Sequence, residues 1–91
     1  MKYNQATLNK LEKGIEETGY IVRFERGNFQ SGFCILEERK VVVLNKFLPL
    51  EGRINALIDL IPQLHIDAEK LSSESKKIFD DVLIKVQSNK D

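Results

Sequence analysis

Four side chains in this sequence have the chemistry of a reactive site: Cys34, Asp59, His65 and Asp67. The chain has 1 cysteine and 1 histidine, so Cys34 and His65 are its entire supply of thiolate and imidazole. Cys34 as nucleophile, His65 as base and Asp67 as orienting group would form a hydrolytic or transfer set. A metal would need three or four N, S or O ligands, and Asp59 or Glu69 would have to complete them. The local context argues against both. A reactive thiol needs a neighbouring cation or a helix N-terminus. Cys34 instead lies between Phe33 and Ile35, where a free cysteine is a small buried apolar residue. His65 follows a helical pattern, in the place of a side chain that caps terminal carbonyls. The expectation is no catalytic residue, no metal site and no cofactor, with a Cys/His-dependent enzyme as the alternative.

A second set of residues suits binding better than chemistry. In "RFERGNFQSGF" two glycines bracket Phe29, which stands between the polar Asn28 and Gln30. An aromatic on such a loop can anchor a partner, with Arg23 and Arg26 beside it; alternatively, Phe29 folds back over the core. The segment is no phosphate cradle, because it lacks the G-x-x-x-x-G-K spacing and does not lead into a helix. Glu25, Glu37 and Glu38 are interleaved with the basic residues and cancel the field that RNA would need.

The elements that must position these residues read as α+β: an N-terminal helix, a three-stranded antiparallel sheet and two C-terminal helices. Leu8, Leu11 and Ile15 repeat at helical spacing within 4–18. Gly14 weakens that helix by about 1 kcal/mol relative to alanine, and Gly19 is placed to stop it in a left-handed conformation. "YIVRFER" alternates, with Tyr20, Val22 and Phe24 on one side and Ile21, Arg23 and Glu25 on the other. "FCILEE" and "VVVLN" are two more strands, joined so closely through Glu38 and Arg39 that only an antiparallel hairpin fits. "VVVL" is apolar at every position, as in a central strand. Pro49 suits the first turn of the next helix. Leu50, Ile54, Leu57, Ile58 and Ile61 then form its stripe, widened by Leu60 and Leu64, until Pro62 bends or ends it. Ser72 or Ser73 caps a last helix whose core face is Ile78, Phe79, Val82, Leu83 and Val86.

This order of elements, a strand ending in Asn45 and a helix opened by "LPLEGR" resemble the ImmA/IrrE-type zinc metallopeptidases, whose helix carries H-E-x-x-H. The "GNF-x-x-G-x-C" segment, Gly27 to Cys34, also resembles that of a group of small uncharacterised bacterial proteins. Registered on Arg53, the zinc pentad falls on "IDLIP", residues 58–62. Ile58 and Pro62 stand where the histidines would be and Asp59 where the glutamate would be. Isoleucine and proline donate no lone pair, so the resemblance implies a peptidase scaffold without its metal or its water activation. In the resembled family a sheet edge holds the substrate peptide extended. Such an edge still binds a peptide or protein after the zinc is lost, or pairs with a second copy as an isologous homodimer.

Composition fits that reading. The 91 residues make one domain, 1–91, with a core over about 4–87 and a frayed tail at 88–91. Hydrophobic residues are 42%, and 14 basic residues balance 14 acidic ones, so no net field favours nucleic acid or an anionic membrane. No apolar run approaches a membrane span, and the polar start lacks a signal-peptide core. A cytoplasmic, non-catalytic domain that binds a protein or peptide is expected, in a groove between the sheet edge and the helix over 50–61, near Arg23, Phe29, Gln30 and Asn45. The alternative is a domain whose role is oligomerisation.

Overall fold

The first helix, α1 (Gln5–Glu17), begins where Asn4 takes an extended conformation and its side chain accepts from the Thr7 N–H at 2.9 Å. That bond satisfies one of the donors a helix start leaves open. The chain is described over residues 1–26 and 32–88, in a computed structural model. Leu8, Leu11 and Ile15 are buried along one side of α1, as their spacing predicts. Gly19, at φ +94°, stops the helix in the left-handed region.

Gly14 has a reason the sequence does not display. A Cβ there would stand 2.6 Å from Cε1 of Phe79, on the last helix. The missing side chain lets α1 and that helix approach, which offsets the loss in helix propensity.

Three strands follow: β1 (Ile21–Glu25), β2 (Phe33–Leu36) and β3 (Val41–Asn45). Their order in the sheet is β1-β3-β2. The hairpin of β2 and β3 is antiparallel, and a 3-10 turn at Glu37–Arg39 closes it with Lys40 at φ 51°. The expected all-antiparallel sheet is corrected on the other side: β1 runs parallel to β3. The chain leaves β1 and enters β2 at the same end of the sheet, on opposite sides of β3. The all-apolar strand then fills the centre, where both neighbours cover it.

Leu50–Leu60 forms α2, with Pro49 as the residue just before it. Pro62 ends the α-helix as expected, and Ile61–Gln63 continues as a 3-10 turn. After a third 3-10 turn at Ala68–Lys70, α3 runs over Ser73–Ser88. Ser72 is its cap, accepting from the Ser75 N–H at 3.2 Å. The Glu17 carboxylate reaches across from α1 to accept the Ser72 N–H at 3.1 Å.

The core lies between one face of the sheet and the three helices. Val42 and Leu44 of β3 meet Ile54, Leu57 and Leu60 of α2 and Val82 of α3, all six at 0% exposure. Ile78 and Phe79 are buried as expected, whereas Leu83 is 43% exposed.

Candidate interaction surface

The register of the strands decides what faces away from the helices. Val22, Val42 and Ile35 share one row, and all three belong to the core side. The alternate residues therefore point outward: Ile21, Arg23 and Glu25 on β1, Val41, Val43 and Asn45 on β3, and Cys34 and Leu36 on β2. None of these eight joins the helical core. Ile21, Val41 and Leu36 form an apolar row across the sheet, with Val43 and Cys34 beside it. Ile21 is 56% exposed and Leu36 44%. The middle valines are shielded between them, at 8% for Val41 and 6% for Val43. Isolated exposed apolar residues are ordinary, whereas Ile21 and Leu36 are the exposed ends of one apolar row that spans every strand.

Charges gather at the end of this face where β1 and β3 finish. Arg23 and Glu25 lie two residues apart on the outer side of β1, with Arg23 Nε 3.5 Å from Glu25 Oε2. Asn45 sits beside Glu25 in the register. Its Oδ1 accepts the Phe47 N–H at 3.0 Å, which turns the chain out of the strand. Arg53 secures the same corner from α2: Nε donates to the Leu48 carbonyl at 3.0 Å and Nη2 to the Lys46 carbonyl at 3.1 Å. Its guanidinium also lies 4.7 Å from the centre of the Phe24 ring. Phe47 protrudes beside this corner, with Arg26 and Lys46 near its ring. On α1, burial and the negative charge of Glu16 raise the pKa of Glu12, while the positive charge of Arg53 opposes the rise.

The opposite end of the sheet is tied shut. Tyr20 is buried, and its hydroxyl donates to Glu37 Oε2 at 2.8 Å and accepts the His65 N–H at 3.2 Å. Burial raises the pKa of this phenol. One residue thus joins the start of β1, the hairpin turn and the segment after α2. The alternation of "YIVRFER" places Tyr20 on the core side but does not identify its two partners.

Arg23 and Asn45 come to neighbouring strands on the outer face, away from α2, so they do not line a groove between the sheet edge and α2. Phe29 and Gln30, with the rest of residues 27–31, lie outside the described residues. Cys34 is half-buried on the outer face of β2. His65 is exposed, in the segment after α2 on the helical side, and its backbone rather than its imidazole makes the contact with Tyr20. Among the described residues no three His, Cys, Asp or Glu side chains gather as a metal site would require. Ile58 is in the core at 4% exposure. Asp59 is exposed, and its carbonyl accepts from Gln63 Nε2 at 3.1 Å.

A separate apolar groove of about 520 Å³ runs between the 61–71 segment and α3, lined by Pro62, Leu64, Ile66, Phe79 and Leu83 with Lys76 and Asp80 at hand. Among the described residues, no helix is long and apolar enough to cross a membrane. In comparisons with known proteins, the chain matches no family model, no curated protein and no solved structure.

Proposed function

We propose that this chain is a non-catalytic interaction domain that binds a protein or peptide through its sheet. The observation that carries the reading is the outer face, where Ile21, Val41, Leu36, Val43 and Cys34 form an apolar set across all three strands outside the helical core, with Ile21 and Leu36 exposed. Burying such a surface is worth about 25 cal/mol per Å² before the costs of association. The charged end, with Arg23, Glu25 and Arg26, supplies the polar rim that orients a partner.

The metallopeptidase-like character belongs to the same proposal. In the register set by Arg53, the two metal positions would have to lie one turn apart on a single helix. Here the first is a core isoleucine, and α2 ends at Leu60, two residues before the second. Both facts support a scaffold that has no peptidase centre.

The test uses β2 alone. The double variant Cys34→Lys/Leu36→Lys places two charges on the outer face and leaves the core side untouched. Affinity capture with quantitative mass spectrometry, wild type against variant, is expected to show specific partners lost with unchanged circular dichroism. Retention of the same partners by the variant would overturn the outer face as the binding surface.

A further inference from the structure

The outer face is one consequence of an uncovered sheet; the free edge of β1 is another, and it carries its own code. Among the described residues β1 pairs only with β3. The ladder begins with the Ile21 N–H donating to the Lys40 carbonyl at 2.8 Å and ends with the Lys46 N–H donating to the Glu25 carbonyl at 3.0 Å. In a parallel ladder alternate residues turn their peptide groups to the same side. Ile21, Arg23 and Glu25 therefore spend theirs on β3, and Val22 and Phe24 turn theirs to the open edge. Four of the five residues of β1 are exposed. A strand in this state is a template for another strand.

We propose that the occupant is β1 of a second copy, antiparallel, about a two-fold axis at Phe24. Three symmetric registers put the axis at an interior residue of the strand, and the side chains separate them. An axis at Arg23 sets Arg23 against Arg23 of the second copy, which repels at the closest spacing in the ladder. The backbone groups of Val22 and Phe24 could pair in that register, so it is the facing arginines that disfavour it. An axis at Val22 sets Arg23 against Ile21 and Glu25 against Gly19, so neither charge meets one of opposite sign. An axis at Phe24 sets Arg23 against Glu25 of the second copy and Glu25 against its Arg23. These are two opposite-charge pairs at positions without mutual backbone bonds, where side chains come closest. Phe24 then exchanges both of its free backbone bonds with its own copy, and its ring, 36% exposed in the single chain, meets its symmetry mate.

A charged edge commonly serves to repel other strands. That defence works with one sign of charge. Here the two signs are placed evenly about Phe24, so one register is self-complementary. The contact between Arg23 and Glu25 within the chain does not compete strongly, because both side chains are about half exposed, at 59% and 47%, and exposed pairs contribute little. The product is a continuous six-stranded sheet, with both sets of helices on one side and both outer faces on the other.

Sedimentation velocity over a concentration series tests this with the wild type, Arg23→Glu, Glu25→Arg and the double exchange. The wild type is expected to shift from monomer to dimer as concentration rises. Each single exchange places two like-charge pairs across the axis and should weaken the dimer about tenfold or more. The double exchange restores the pairing and should return to within about threefold of the wild type. With Cys34 replaced by serine, Phe24→Cys should form an intermolecular disulfide on oxidation and Val22→Cys should not, because only position 24 lies on the axis. A wild type that stays monomeric at about 1 mM overturns the proposal, as do single exchanges that leave the dimer intact or a preference for the position 22 disulfide. The outer-face reading has its own variant on β2, so either proposal can fail without the other.

Discussion

The two faces of β3 differ by one residue in register and by everything in their surroundings. Val42 and Leu44 are sealed in the core cluster that the three helices share. Val41 and Val43 lie outside that core, between their neighbours on β1 and β2, at 8% and 6% exposure. The first face is filled by the chain itself. The second has no part in that helical core, and the apolar area it leaves uncovered lies at its margins, on Ile21 and Leu36. The same five residues thus serve the core with one parity and a surface with the other.

The contrast can be broken most severely from the filled side. Leu44→Ala removes a side chain at 0% exposure and should destabilise the fold by about 2–5 kcal/mol in urea unfolding. Leu36→Ala, at 44% exposure, should cost under about 1 kcal/mol in the same measurement. Equal losses would mean that the outer face is as closely packed as the inner.

A smaller effect comes from filling a space that the helical side has already closed. Gly14→Ala gains about 1 kcal/mol in helix propensity but drives a Cβ into the Phe79 ring, at 2.6 Å from one carbon and 2.8 Å from the next. Overpacking of a buried ring costs about 1–3 kcal/mol, so a net destabilisation of about 1 kcal/mol is expected. In a double-mutant cycle Phe79→Leu should remove the penalty. An additive cycle would place the cost of Gly14→Ala elsewhere.

The smallest effect is electrostatic and also belongs to the helical side. The Ser75 hydroxyl and the Ser72 backbone N–H hold the Glu17 pKa below its ordinary value. A lowered carboxylate pKa stabilises the fold above the unfolded-state pKa, and that stability is lost as pH falls through the folded-state pKa. Glu17→Gln should therefore be less stable than the wild type at neutral pH, with the difference narrowing below about pH 4. Glu12 has the opposite sign. Its pKa is raised, so its contribution declines as pH rises through the ordinary glutamate range. Thermal unfolding from pH 3 to 7 separates the two, since only the Glu17 effect disappears in the variant.

The elements themselves were legible in the sequence because their signals are local. Gly19 and Pro62 end helices, alternation marks β1, and the short charged turn marks the hairpin. The parallel pairing of β1 with β3 was not legible. It joins Ile21 to Val41, and no turn chemistry between neighbours in sequence reports on it. For the same reason the outer-face neighbours Arg23 and Asn45 could be named but not related. Arg53 entered as part of a resemblance, while its hydrogen bonds to the Lys46 and Leu48 carbonyls depend on a corner that only the folded chain builds. Phe24 follows the buried parity of its strand, yet the edge leaves its ring half open. Periodicity reports which face a residue takes, but not whether its strand lies at the centre or the edge.

The order β1-β3-β2 also sets a schedule. During synthesis both outer strands emerge before the one that unites them, and β1 waits through about twenty residues for its partner. The hairpin closes across a short turn at a small loop-closure cost, and the capture of β1, whose contacts are long-range, carries the larger one. Until that capture, β1 is a strand with neither edge occupied, in every growing copy of the chain.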